Sequence, residues 1–194
     1  MIRLITQTVL VTWALAGTVF AAEQVLTLDP AATEIDFVLD ATGHKVRGKL
    51  FLVSGRIRFD LDSGAADGEL RIDARKADTG NKRRDKTMHK KVLESARYPL
   101  FVFRPTGVEG ALSETEASEL TLVGTLSIHG DEHPFSIPVQ VEQDGDVVSA
   151  SATFIVPYAD WGLYRPNLLF IRVAPEVEVR IETKGSLTSV ASVP

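Results

Sequence analysis

The sequence contains no cysteine among its 194 residues. This absence excludes disulfide bridges, thiolate zinc sites, a cysteine nucleophile and a lipid-modified cysteine anchor. Aromatic residues are also few, at 7% of the chain. The folded protein must therefore be held together by apolar burial and backbone pairing.

Positive charge is not in excess, because 21 lysines and arginines face 26 acidic residues, for a formal net charge of -5. This balance argues against nucleic acid as a partner. The sequence also lacks a Gly-x-Ser-x-Gly elbow and a phosphate-cradling glycine loop. These absences argue against nucleophilic catalysis by such an elbow and against a phosphate-binding glycine loop. Our prediction is a protein that is not an enzyme and that needs no cofactor.

The first 21 residues have the pattern of a secretory signal. Arg3 is followed by the uncharged run Leu4–Phe20 and then Ala21, with small or apolar residues at the positions that a signal peptidase reads. An uncleaved membrane anchor is the competing interpretation, but the run falls short of the ~20 strongly apolar residues that a spanning helix prefers. We predict cleavage after Ala21 and a periplasmic or secreted protein. Removal of 21 residues from 194 would leave 173, enough for one domain at 22–188 and a disordered tail at 189–194.

Strict alternation of apolar and polar residues dominates the rest of the chain, as in Ile35, Phe37 and Leu39. The same period-2 pattern recurs in segments beginning near Leu50, Ile57, Leu70, Leu100, Leu120, Phe135, Val148 and Val177. It predicts an all-β fold of at least eight antiparallel strands, with a tight hairpin at Asp144–Asp146. Two architectures satisfy this pattern, a two-sheet sandwich and a closed barrel.

Two details of the strand pattern bear on the interior. The pattern predicts a short strand at Leu100–Arg104, followed by a polar loop over 107–118. Small residues on the inward face suggest interior space, although a tapered core would also use them. These small residues are Ala74, Gly124, Ala150 and Ala152.

One long segment, Asp78–Pro99, interrupts the strands. Its core, about 81–94, is rich in lysine and arginine and poor in β-branched residues, which predicts a short helix covering one side of the β domain, with Met88 and Val92 facing inward. Asp85 is expected to pair with a neighbour or to cap the helix start. The basic residues either attract an anionic lipid head group or membrane surface, or form a solvated face. They are Lys82, Arg83, Arg84, Lys86, Lys90 and Lys91.

Seven short motifs resemble, in order, those of the YceI-like family. They are Leu28–Phe37, Lys45–Gly48, Ser54–Asp60, Thr79–Asn81 with Arg84 and Asp85, Tyr98–Phe103, Gly124–Gly130 and Asp160–Leu163. The resemblance implies an exported, lipocalin-like, eight-stranded antiparallel β-barrel whose apolar tunnel binds a polyisoprenoid-type lipid. Trp161 is a departure, because the commoner family pattern has Phe there, and an indole near the mouth would narrow the tunnel or meet a polar ligand end.

The inward apolar residues are the candidates for the tunnel lining. They are Phe37, Leu50, Phe59, Met88, Phe103, Leu126, Phe135, Phe154 and Trp161. The expected partner is a polyisoprenoid or a fatty-acid-like lipid, and the pattern also allows a transient contact with the envelope membrane and a homodimer. No catalytic group is needed, since apolar area removed from water supplies the affinity.

Two alternatives remain open from the sequence. The cluster His129, Glu132 and His133, completed by His44 or His89, is a candidate metal centre for a hydrolase, although it lacks helical His-Glu-x-x-His spacing. The other alternative is a structural, stress-type domain whose interior is fully packed and which binds no ligand.

Overall fold

The computed structural model describes residues 23–113, 116–168 and 171–190, so the predicted signal segment lies outside the described residues. The strands are β1 (Glu23–Leu28), β2 (Glu34–Ala41), β3 (His44–Leu50), β4 (Leu52–Asp60), β5 (Ala65–Asp73), β6 (Leu100–Gly110), β7 (Ser118–Ile128), β8 (Asp131–Asp144), β9 (Val147–Val156), β10 (Asn167–Leu168), β11 (Ile171–Arg172) and β12 (Val177–Val190). Helix α1 spans Lys82–Thr87 and continues into a π-helical turn, Met88–Val92. Among the described residues, no helix has the length and apolar character needed to span a bilayer.

The main sheet closes on itself into an antiparallel barrel. Neighbouring strands pair in the order β1, β4, β5, β6, β7, β8, β9 and β12, and β12 pairs back to β1 from Gly185↔Leu28 to Val190↔Glu23. Each of these eight strands therefore pairs on both sides along the ring, and such closure is how barrels avoid edge-to-edge association. This closure confirms the eight-stranded antiparallel barrel that the resemblance implied and decides against the two-sheet sandwich that the strand pattern had left open.

Two of the eight positions in the barrel wall are shared by strand pairs. β12 pairs with β1 through Gly185–Val190 and with β2 through Glu178–Glu182. β1 and β2 therefore lie end to end beside β12 and together occupy one position in the wall. A 3₁₀ turn at Pro30–Ala32 separates them, where Asp29 Oδ1 accepts a hydrogen bond from the Ala31 amide at 2.8 Å. β3 and β4 lie beside β2 and β1 in the same way. Beyond β3, the wall is completed by an isolated Lys49↔Asp78 bridge and the segment that leads into α1.

Several sequence predictions hold in detail. Helix α1 and its π-helical turn occupy 82–92 within the predicted 81–94. The predicted hairpin is present, since Asp144 pairs with Val147 around Gly145, which has a φ of 58°.

The predicted disordered tail began at residue 189, but β12 runs to Val190. Residues 191–194 lie outside the described part of the chain.

The predicted loop at 107–118 is wrong in its first part, because β6 continues to Gly110. The pairing with β7 shifts register between Pro105 and Gly107, which is a β-bulge that lets the strand bend and continue. A proline and two glycines within six residues concealed the strand, since these residues normally indicate its end.

The core divides the barrel into two ends. The packed end, which we define by its buried cluster, contains Ile57, Phe59, Val108, Leu120, Val141, Val148 and Leu187. A second cluster, at the opposite ends of β6, β7, β9 and β12, contains Phe101, Ile128, Val156 and Val179 among others. We call this the cavity end. A smaller cluster of Phe103, Leu126, Ile137 and Ala152 lies between them.

Candidate functional site

The cavity end contains a cavity of about 490 Å³. Its walls come from β2, β3, β5, β6, β7, β9 and β12, and α1 with its π-helical turn covers it and is called the lid below. Phe37, Leu126 and Val179, all buried, form part of its interior. Because none of the residues of the packed-end cluster lines it, the cavity enters the barrel from one side and stops near the middle.

Five of the nine predicted tunnel residues line this cavity. They are Phe37, Leu50, Met88, Leu126 and Phe154. Met88 and Val92 both face it from the lid, as their spacing predicted. The strand residues reach it because Phe37, Val179 and Phe154 are direct cross-strand neighbours on the inner face of the wall.

The other four predicted residues lie elsewhere. Phe59 is buried in the packed end, and Phe103 is buried in the cluster between the two ends. Phe135 and Trp161 are half-buried and pack against the core without lining the cavity. The alternating pattern places all inward strand residues on one face but does not reveal how deep along the barrel each one lies.

Trp161 does not line the cavity but packs against aromatic residues next to its wall. Its ring stacks on His133 with a centroid distance of 4.2 Å and an interplanar angle of 4°. It also meets Phe135 edge-on at 5.7 Å, and Phe135 meets the cavity-lining Phe154 at 5.5 Å. This aromatic chain fixes the Phe154 ring, so the indole acts through packing and does not narrow the mouth.

The small inward residues do not create the cavity. A Cβ on Gly124 would meet the backbone of Arg104 and Pro105, so this glycine permits the close approach of β6 at its bulge. Ala74 is fully buried, and Ala150 and Ala152 pack within the core clusters. None of the four lines the cavity, which corrects the expectation that they mark interior space.

The lid is held by a polar network at its start. Asn81 caps α1, and its Oδ1 accepts hydrogen bonds from the amides of Arg83 and Arg84, both at 3.1 Å. Thr79 donates to Asp85 Oδ1 through its amide at 3.0 Å and through its hydroxyl at 2.5 Å. Arg84 donates to Thr79 Oγ1 and to the Thr79 carbonyl.

Asp85 is the charged centre of this network. Burial by itself raises the pKa of the carboxyl, but the hydrogen bonds from Thr79 and the nearby Arg84 charge outweigh it and leave the pKa of Asp85 below its ordinary value. The carboxylate therefore stays ionised and anchors the lid to the segment that pairs with β3. This matches the expectation that Asp85 pairs with a neighbour.

Residues 157–166 and 173–176, which lie on either side of β10 and β11, close the cavity on another side. Tyr158 donates its hydroxyl hydrogen to the Ala174 carbonyl at 2.7 Å, and Arg165 donates to the Val173 carbonyl at 2.5 Å. Burial raises the pKa of Tyr158, with Arg165 opposing the shift. The residue pattern gives no signal for this contribution, because Tyr158 and Leu163, which line the cavity, lie in a segment without strand periodicity.

The histidines do not assemble into the metal centre considered from the sequence. His129 faces Glu94, His133 stacks on Trp161, and Glu132 accepts a hydrogen bond from Ser127 on the barrel exterior. His89 lies 3.0 Å from the Ser95 hydroxyl. Across the part of the chain that the structure describes, no three His, Asp or Glu side chains are placed to hold a metal ion together.

Comparison with known proteins agrees with this architecture. The model of the YceI-like domain family matches residues 26–185. No curated protein matches the chain.

Three similar solved structures share the fold. BcnA of Burkholderia cenocepacia is 18% identical and superposes with a TM-score of 0.66 over 81% of this chain and 98% of its own. A polyisoprenoid-binding domain from Saccharophagus degradans is 16% identical, with a TM-score of 0.65 over 84% and 98%. The YCEI protein of Campylobacter jejuni is 18% identical, with a TM-score of 0.52 over 73% and 84%.

Proposed function

Because the chain belongs to the YceI-like family, we propose that it is an exported binding protein that holds a polyisoprenoid or other long-chain amphiphilic lipid in its cavity. The observation that carries this proposal is the cavity of about 490 Å³ with apolar walls, closed by a helical lid. The relative from Saccharophagus degradans, described as a polyisoprenoid-binding domain, adds support.

The physical basis of binding is burial of the lipid chain. Each methylene group removed from water contributes about 0.8 kcal/mol. Buried apolar wall residues such as Phe37 and Leu126 have no polar side-chain group that would lose its hydration when the lipid chain binds. A largely preformed cavity also limits the ordering cost of binding. Such a site needs no catalytic group, which supports a role in binding.

Export remains part of the proposal. The first 21 residues support a periplasmic or secreted location, in which the protein would take up lipid during a transient contact with the envelope membrane. Mass spectrometry of protein recovered from the envelope fraction tests this directly, because cleavage after Ala21 leaves a chain that begins at Ala22. A mature chain that retains Met1–Ala21 would contradict export by a cleaved signal.

The two alternatives receive less support. The separated positions of His129, Glu132 and His133 do not favour a metal-dependent hydrolase. A fully packed structural domain does not account for an unfilled space of about 490 Å³ in the interior.

Native mass spectrometry and displacement of a neutral fluorescent probe, N-phenyl-1-naphthylamine, test lipid binding. Val179→Trp places an indole in the cavity and should abolish binding of the probe, whereas Glu178→Trp, on the outward face of the same strand, should not. Equal probe binding by both variants, or no bound lipid and no probe binding by the unaltered protein, would contradict the proposal. Circular dichroism checks that both variants are folded.

A further inference from the structure

The cavity has a charge opposite to that of the protein. The whole chain has a formal net charge of -5. By contrast, Arg83 and Arg84 are the charged cavity-lining side chains, and no aspartate or glutamate among the described residues lines the cavity. An unbalanced positive charge beside an apolar cavity is suited to a ligand with a negatively charged end.

The two arginines differ in how their guanidinium groups are used. Arg84 donates to the hydroxyl of Thr79 at 2.7 Å and to its carbonyl at 2.8 Å, and it also lies near the Asp85 carboxylate. Arg83 has no side-chain hydrogen bond or ion pair with any residue that the structure describes. The five N–H donors of Arg83 therefore remain available to a ligand.

The position of Arg83 sets the orientation of the ligand. Arg83, Asn81 and Thr87 belong to the exposed surface of the lid and also line the cavity, so they form its rim. Asn81 uses its Oδ1 to cap α1, which leaves the Nδ2 hydrogens as further donors at the rim. The deeper walls, including Phe37 and Leu126, are apolar and buried.

The other basic residues of the lid do not share this position. Lys82, Lys86, Lys90 and Lys91 are exposed and do not line the cavity. The structure therefore separates one arginine at the rim from a general basic face that solvent screens.

We propose that the ligand is an amphiphile with an anionic head group, a carboxylate or a phosphate, which the Arg83 guanidinium binds at the rim while the apolar chain enters the cavity. This inference rests on the proposed lipid-binding function and names the class of lipid. Arg83 is the specificity-determining residue, because a guanidinium pairs with carboxylate and phosphate oxygens through two parallel hydrogen bonds.

The test compares ligands that share one chain and differ in the head group. Hexadecanoate, hexadecyl phosphate, hexadecanol and hexadecyltrimethylammonium, each below its critical micelle concentration, compete with N-phenyl-1-naphthylamine for the protein at low salt. Both anionic ligands should bind more tightly than the alcohol, and the cationic ligand should bind most weakly. A preference between the two anions distinguishes a carboxylate from a phosphate head group.

Three variants test whether the effect belongs to Arg83. Arg83→Gln should weaken binding of the anionic ligands roughly tenfold, the loss of one partly exposed charge-assisted contact, and leave hexadecanol unchanged. Lys86→Gln removes the same charge from the same helix away from the cavity and should leave all four affinities within about twofold, because exposed charges are screened. Arg83→Glu should reverse the order of the anionic and cationic ligands.

The outcomes distinguish the proposed anionic head group from the proposed lipid binding itself. Equal binding of all four ligands, unaffected by Arg83→Gln, would overturn the anionic head group while leaving lipid binding intact. Equal losses in Arg83→Gln and Lys86→Gln would also overturn it, since the effect would then come from general charge. Failure of every ligand and of the probe to bind would overturn the proposed function itself.

Discussion

The ring of Phe37 lies directly over Gly48, its cross-strand partner in the β2–β3 hairpin. A Cβ at Gly48 would collide with the Phe37 ring and would stand 2.6 Å from the carbonyl oxygen of Asp78. The absence of a side chain at one residue thus lets a neighbouring aromatic ring form part of the cavity wall.

The first prediction concerns this contact. Gly48→Ala should lower the free energy of unfolding by about 1–3 kcal/mol, the usual cost of overpacking, and should weaken binding of the neutral probe because the Phe37 ring is displaced into the cavity. Urea denaturation and probe titration measure the two effects. The double variant Gly48→Ala/Phe37→Leu should recover part of the stability.

Arg47→Ala is the control for this prediction. Arg47 is exposed on the same strand, so its loss should change stability by less than about 0.5 kcal/mol. A Gly48→Ala variant as stable as the unaltered protein, with the same affinity for the probe, would show that the Phe37 ring has room to move elsewhere.

The second prediction concerns acid stability at the lid. The pKa of Asp85 is lower in the folded protein than its ordinary value of 3.8, so the unfolded chain binds more protons as the pH falls below about 4. The stabilisation from the Asp85 carboxylate is fully present above about pH 3.8. It is lost as the pH falls through the lower pKa that Asp85 has in the folded protein. Asp85→Asn should therefore flatten the decline in stability below about pH 4 and lower stability at pH 7 by about 1–2 kcal/mol, because hydrogen bonds from Thr79 are weakened.

Urea denaturation between pH 2.5 and pH 7 measures this difference. Part of the acid dependence should persist in Asp85→Asn, since hydrogen bonds also hold the pKa values of Asp60 and Asp73 below their ordinary value. Asp62→Asn, in an exposed turn, is the control. An Asp85→Asn profile parallel to that of the unaltered protein at every pH would refute a role for this carboxylate.

The third prediction concerns the length of the ligand. A methylene group is about as large as a water molecule, which occupies about 30 Å³ in the liquid, so a cavity of about 490 Å³ holds a chain of about 16 carbon atoms. Affinity should rise by about 0.8 kcal/mol per methylene group up to that length and then level off. Displacement of the neutral probe by alcohols of increasing chain length measures the position of this plateau.

Leu126 lies at the inner part of the cavity, so Leu126→Ala should move the plateau to longer chains. The matched control is Leu120→Ala, in the packed end. Both substitutions should cost about 2–5 kcal/mol of stability, but the control should leave the plateau where it was. A plateau that shifts equally in both variants would mean that ligand length is not set by the inner end of the cavity.

The fourth prediction concerns the segment that follows the lid. Among the described residues, the non-glycine residues with positive φ are Glu94, at 43°, and His129, at 56°. Their side chains also meet, since Glu94 Oε1 lies 3.4 Å from His129 Nε2, but without the alignment of a hydrogen bond. Glu94→Gly should be more stable than Glu94→Gln by roughly 0.5–1 kcal/mol, because glycine accepts this backbone conformation without steric cost.

Thermal denaturation compares the two variants, which both remove the carboxylate. Glu94→Gln alone should cost less than about 1 kcal/mol, because the Glu94 carboxylate is partly exposed and makes no aligned hydrogen bond with His129. A Glu94→Gly variant less stable than Glu94→Gln would indicate that the flexibility gained by the unfolded chain outweighs the relief of backbone strain.

The local features of the fold could be predicted from the sequence. Strand faces, the Asp144–Asp146 hairpin and the inward orientation of Met88 and Val92 follow from short-range periodicity and turn chemistry. The part of β6 beyond Arg104 could not be predicted, because Pro105 and Gly107 belong to a bulge that only the partner strand reveals. The interval from Tyr158 to Leu163 likewise has no periodic signal, yet it closes the cavity.

Which strand residues point inward follows from the order of residues along the chain, since alternation is a property of the extended backbone. The neighbours that these inward residues meet depend on how the strands come together in the closed barrel. Phe37 and Phe59 share the same alternating pattern, but barrel closure places Phe37 at the cavity and Phe59 in the packed end. In the same way, Arg83 and Arg84 are adjacent in the chain, but only the fold brings Thr79 to Arg84 and leaves Arg83 available at the rim, because hydrogen-bond partners are set by contacts in space.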